Sequence, residues 1–79
     1  MAAKYTYKQG QYLAFIYSYT KLHKRPPAEL ELQEYFQVTP PSVHQMILTL
    51  EARGLISRIP WTPRSIQVLV AKDELPDLD

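Results

Sequence analysis

The chain has 79 residues, 46% of them hydrophobic, with no cysteine and a formal net charge of +1. A chain this short holds one compact core and buries only about 60% of the surface its unfolded form exposes. Without cysteine there is no disulfide framework or thiolate metal site, two histidines lack a carboxylate cluster for zinc, and no apolar run approaches the roughly 18 residues of a membrane span.

The expectation is therefore a single soluble, cytoplasmic domain over 1–79, with its core at about 6–71. It has no metal, cofactor, membrane or small-molecule partner, and its N-terminal MAAKYTYKQ lacks the apolar stretch of a signal peptide.

Residues 6–23 suit a first helix with Thr6 as cap, and Tyr12, Leu13, Ile16, Tyr19 and Thr20 form its inward stripe. Phe15 and Leu22 widen that stripe on one edge and Tyr17 on the other, so the apolar arc exceeds half the circumference. A second protein surface is one reading of the excess, most simply a homodimer contact through Phe15, Tyr19 and Leu22; tyrosines at the rim of the core are the other. Lys24-Arg25-Pro26-Pro27 ends the helix, because the residue before a proline is driven out of the α region.

Residues 28–37 carry Leu30, Leu32, Tyr35 and Phe36 among glutamates and predict a short second helix whose acidic first turn complements its dipole. Glu29, Glu31 and Glu34 have no matching acid, base or metal partner, so an enzyme is not expected. A tight connection at 37–39 leads to a third helix over about 40–53, capped by Thr39 and entered through Pro40 and Pro41. Val43, Met46, Ile47 and Leu50 recur at i, i+3, i+4, i+7 and face the core. Pro41, Ser42, Gln45, Leu48, Thr49 and Ala52 occupy the other side, with His44 at its margin, making a small, hydrogen-bonding face suited to a groove.

Gly54 stops the helix. LISRIP and SIQVLVA then read as two strands, the second turning Ile66, Val68 and Val70 inward, around a stiff loop of Trp61-Thr62-Pro63-Arg64. Two helices joined by a short turn, the second with a polar outer face, form a helix-turn-helix, and the projecting hairpin makes it winged. From Lys72 onward the tail is expected to fray. Residues 73–79 hold four of the eight acidic groups, leaving nine basic side chains against four acidic in the rest. That excess fits a polyanion partner, although an ordinary mixed surface with an acidic tail has the same composition.

From about Thr6 to Val70 the sequence resembles the N-terminal DNA-binding domain of LexA-type repressors. The resemblance rests on Gln9, the Pro26-Pro27 pair, Thr39-Pro40, the run Leu50-Glu51-Ala52-Arg53-Gly54-Leu55-Ile56, and Pro63-Arg64-Ser65-Ile66. It implies that the third helix enters the major groove of double-stranded DNA. Thr39, Pro41, Ser42, His44, Gln45 and Thr49 would lie on that face, with Gln45 best suited to engage adenine N6 and N7 together.

The resemblance also places the wing, about 60–65, on the DNA backbone through Trp61, Thr62 and Arg64, with Lys24 and Arg25 as lesser contacts. Arg53 serves a helix end as well as it would serve DNA. Pro41, Leu48 and Ala28 depart from the family pattern, and the family's self-cleaving peptidase domain has no counterpart in this length. The function expected is a sequence-specific transcriptional regulator acting as a homodimer; the alternative is a winged-helix protein-interaction module.

Overall fold

A computed structural model describes residues 4–79. Its elements run α1 (Tyr7–His23), α2 (Glu29–Phe36), α3 (Pro40–Ala52), β1 (Ile56–Ser57), β2 (Gln67–Val68) and a 3₁₀ turn at Lys72–Glu74. The strands pair antiparallel, Ile56 opposite Val68 and Ser57 opposite Gln67, so three helices carry one small wing: the winged helix-turn-helix expected from the sequence.

Each helix boundary has a local chemical cause. At α1, Thr6 and Gln9 form a reciprocal capping box: the Gln9 N–H donates to Thr6 Oγ1 at 3.2 Å and the Thr6 N–H to Gln9 Oε1 at 3.0 Å. Lys24 closes α1 in the left-handed region at φ 62, just before the two prolines. Ala28 has no side-chain oxygen to cap α2, so Glu31 supplies half of the box alone, accepting from the Ala28 N–H at 2.8 Å. Thr39 caps α3 by accepting from the Ser42 N–H, with prolines in the first turn. Gly54 follows the last turn at φ +72, where a side chain would be strained, and lets the Leu55 N–H reach back to the Leu50 carbonyl at 3.0 Å.

The core sits where the three helices and the root of the wing meet. Leu13, Leu32, Val43, Ile47 and Leu50 are completely buried, closed over by Tyr12, Ile16, Leu55, Ile56 and Ile66. Aromatic rings seal the α1–α2 side: Tyr12 stacks on Phe36 at 4.2 Å and Phe15 lies against Tyr35 at 4.4 Å. This intrachain packing accounts for most of the wide apolar arc of α1.

Two features differ from expectation. The strands are only two residues long. Pro60 and Pro63 lack N–H donors, and Trp61 and Arg64 are left-handed at φ 63 and 57, so the ladder stops below the tip. The acidic tail, expected to fray, instead lies along α1. Gln11 donates to the Asp77 carbonyl at 2.9 Å and accepts from the Asp79 N–H at 2.8 Å, while the Tyr35 hydroxyl donates to the main-chain oxygen of Asp79 at 3.0 Å. Tyr7 donates to the Asp79 carboxylate and Tyr5 to the Glu74 carbonyl, and Lys4 pairs with Glu74 at 2.9 Å. Half-buried Leu75 and Leu78 pack on the core beneath these bonds. Their apolar spacing is sparse, which hides the clasp from periodicity arguments.

Gly10 is where the clasp closes. A methyl group there would lie 2.7 Å from Tyr5 Cε1 and 3.1 Å from Pro76 Cγ. Alanine ordinarily stabilises a helix interior over glycine by about 1 kcal/mol. Here the added carbon displaces Tyr5 and the tail together, so Gly10→Ala is expected to lower Tm by roughly 4–8 °C, the equivalent of about 1 kcal/mol in a domain this size. Thermal denaturation followed by circular dichroism decides the sign, and a raised Tm would show that the clasp yields freely.

Candidate nucleic-acid interface

The core stripe of α3 fixes which side it shows. With Val43, Ile47 and Leu50 fully buried, Pro41, Ser42, His44, Gln45 and Leu48 are exposed and Thr49 is half-exposed. Pro41, Ser42, Gln45, Met46 and Thr49 line an open concavity with Gln9. The hydroxyls there are partly engaged: Thr49 Oγ1 donates to the Gln45 carbonyl at 2.9 Å, and Thr39 Oγ1 lies 3.0 Å from Ser42 Oγ. Pro41, Ser42, Gln45, Leu48 and Thr49 bring no acidic or basic side chain to this face, so their selectivity would come from hydrogen bonding and shape.

A second groove runs between the start of α3 and the wing, lined by Glu29, His44, Arg58, Pro60, Trp61, Thr62 and Pro63. His44 Nδ1 lies 3.5 Å from Glu29 Oε1, both exposed. Trp61 is 100% exposed and Ile59 63%, which makes the wing tip apolar. The turn beneath it is compact: the Ile59 N–H donates to Ser65 Oγ at 2.9 Å, and that hydroxyl lies 2.8 Å from the Thr62 carbonyl. Thr39, Pro41, Ser42, His44, Gln45, Thr49, Trp61 and Thr62 thus fall along α3 and the adjoining wing.

Arg64 does not join them. Its Nη1 lies 2.8 Å from Glu31 Oε1 and within 3.3 Å of both the Tyr19 hydroxyl and the Pro26 carbonyl. Expected to hold a phosphate, its guanidinium is instead paired within the chain at the α1–α2 junction, with 32% of the side-chain surface exposed. The other arginines near α3 are similarly engaged. Arg58 pairs with Glu51 at 3.1 Å, and Arg53 donates to Gln9 Oε1 and the Lys4 carbonyl, both at 2.9 Å.

Besides Arg53, the cations that make no ion pair among the described residues are Lys8, Lys21, Lys24, Arg25 and Lys72, and of these Lys24 and Arg25 line a groove with Pro26 and β2. Part of the unpaired positive charge, Lys24 and Arg25, thus lies beside β2, while Arg58 and Arg64 of the wing itself are both paired. The proposed dimer residues divide as well: Phe15 is buried under Tyr35 and Phe36, Tyr19 is half-buried against His23 and Glu31, and only Leu22, 76% exposed, is open.

Comparison with known proteins identifies the frame. The chain is 38% identical over 72 residues to a LexA repressor of Exiguobacterium sibiricum, covering 90% of this chain and 35% of that protein. LexA repressors of Thermosipho melanesiensis (31% over 72 residues, 91% of this chain, 36% of theirs) and Thermosipho africanus (34% over 64 residues, 81% and 32%) match similarly. The chain is a relative of the LexA-type repressors. It spans about a third of the length of these curated relatives. No protein-family model matches it. Within the LexA-type frame α3 is the second helix of the helix-turn-helix and residues 58–66 are the wing.

Glu31 is the residue that sequence reasoning passed over. Its spacing among Glu29 and Glu34 sets it apart in no way, and the one sequence signal of a partner is the missing cap oxygen at Ala28. The Ala28 N–H foremost, then the Arg64 guanidinium and Tyr19 hydroxyl, hold its carboxyl below the usual glutamate range, against the opposing effect of burial. A carboxyl whose folded value lies below its unfolded value contributes stability that is complete above the ordinary value near about 4.3 and is lost as pH falls through the folded value. Glu31→Gln should therefore lower Tm at neutral pH and flatten the acid limb of the Tm–pH curve. Parallel curves for the two proteins would remove Glu31 from that limb.

Proposed function

We propose that this domain binds double-stranded DNA in the cytoplasm and regulates transcription, inserting α3 in the major groove with the wing against the flanking backbone. The observation that carries the reading is the outer face of α3. On a helix fixed by three fully buried side chains, Ser42 and Gln45 stand exposed and uncharged, in a chain related to repressors. The amide of Gln45 has the paired donor and acceptor that match adenine N6 and N7. Lys24 and Arg25, rather than Arg64, are the phosphate contacts this geometry favours. One module of this kind buries only about 600–1,000 Å² on DNA, so a homodimer on paired half-sites is the mode proposed.

A second reading, a protein-interaction module, is favoured by one observation: the wing tip is apolar at Trp61 and Ile59, while nearby Arg58 and Arg64 are neutralised by glutamates. Fluorescence anisotropy with a mixed-sequence duplex, titrated over about 50–200 mM salt, separates the two. DNA binding gives a line of log K against log salt with a slope of about −0.9 per phosphate neutralised, whereas an interaction module gives no binding at the lowest salt. On a selected site, Gln45→Ala should cost about 1–3 kcal/mol and flatten preference at one base pair. An unchanged base preference would take Gln45 off the reading face.

A further inference from the structure

We infer that Glu31 sets the posture of the wing, and that Arg64 acts on DNA through Glu31 rather than by touching phosphate; the part concerning DNA rests on the reading above.

The argument begins with what the wing lacks. Its two strands share only two residue pairs, and the loop from Arg58 to Ile66 projects beyond them. An isolated ribbon of this kind is marginal in water, so something outside the ladder must hold it at a fixed angle. Ser65 closes the turn on itself and fixes its shape, but not its orientation to the helices. Buried Ile56 and Ile66 seat the root of the two legs in the core, and beyond that root two ion pairs tie opposite legs to the helices: Arg58 to Glu51 at the end of α3, and Arg64 to Glu31 at the start of α2.

Of the two, the Glu31 pair is the more connected. One carboxylate oxygen, Oε1, accepts from the Ala28 N–H at 2.8 Å and lies 2.8 Å from Arg64 Nη1 and 3.4 Å from the Tyr19 hydroxyl. It thereby joins the first turn of α2, the outgoing leg of the wing and the last turns of α1. Arg64 Nη1 adds the Pro26 carbonyl of the α1–α2 connection at 3.3 Å. The left-handed backbone at Arg64 and Trp61 costs on the order of 1 kcal/mol each and persists only where surrounding contacts determine it. At Arg64 those contacts meet on Glu31. A guanidinium so placed brings little net charge to DNA, because the carboxylate beside it largely cancels its field.

Two variants test this without unfolding α2. Glu31→Gln keeps an acceptor for the Ala28 N–H and removes the charge; Arg64→Ala removes the wing's side of the pair. In the free protein, residual dipolar couplings of amides in 58–65 should share the alignment frame of α3 in the wild type. In both variants they should be averaged, while far-UV circular dichroism is unchanged. Wing couplings that keep the α3 frame in either variant would overturn the assignment.

On duplex DNA each variant should bind about fivefold more weakly, the double variant no more weakly than either single one, and the salt slope should be unchanged. A slope reduced by about one for Arg64→Ala, or tighter binding by Glu31→Gln, would place Arg64 on a phosphate and overturn the DNA half of the inference. A wild type that binds no duplex at low salt overturns the DNA reading itself. The dipolar couplings then still decide whether Glu31 holds the wing.

Discussion

The burial of Val43, Ile47 and Leu50 is the constraint on which the rest depends. A domain of 79 residues has one core, and α3 supplies a share of it while also presenting the candidate reading face. Those side chains lock the rotation of the helix about its own axis, which is why Ser42, Gln45 and Thr49 have a defined outward direction. The capping residues then set where α3 begins and ends. Thr39 and the two prolines place its first turn, and Gly54 releases the chain into the wing within one residue of the last turn. The geometry of the candidate face follows from core packing, with no separate scaffold to hold it.

Charge is arranged differently from the balance of the composition. The basic excess over residues 1–72 suggested a cationic working surface, yet Arg53, Arg58 and Arg64 are all engaged within the chain. Each joins separate elements: Arg53 the N-terminal segment and α1 to the end of α3, Arg58 the wing to α3, and Arg64 the wing to the α1–α2 junction. Arginine suits this work because its planar fork meets two acceptors at once. The domain has spent its most versatile cations on rigidity and left Lys24 and Arg25 at the periphery.

Much of the architecture was legible in the sequence because it depends on local rules. The capping box of α1, the proline entry to α3, the glycine exit and the apolar stripes appear where residue type and spacing place them. The inward faces of Ile66, Val68 and Val70 likewise follow from alternation. What sequence reasoning missed depends on contacts between distant residues. The strands came out longer in the reading than in the molecule because an alternating pattern does not show the left-handed turns at Trp61 and Arg64. The direction of the Arg64 side chain requires the position of α2, and Phe15 is exposed on a helical wheel but covered once Tyr35 and Phe36 arrive. The seating of the tail is hidden from the sequence for a similar reason: its polar anchors, Tyr7, Gln11 and Tyr35, lie on elements far away in the chain.

That tail also bears on how the domain assembles. Lys4 and Tyr5 bond Glu74, and Gln11 bonds Asp77 and Asp79, so the first described residues are seated by partners some seventy positions later. Contacts of such separation form late, because the entropy of closing the loop is spent before they return anything. During synthesis the start of α1 waits for residues 74–79 to emerge before these neighbours exist. The three-helix nucleus, built from nearer contacts, can condense without them. The clasp thus ties both ends of the described chain to one side of α1, so that the two ends are held by the same set of bonds.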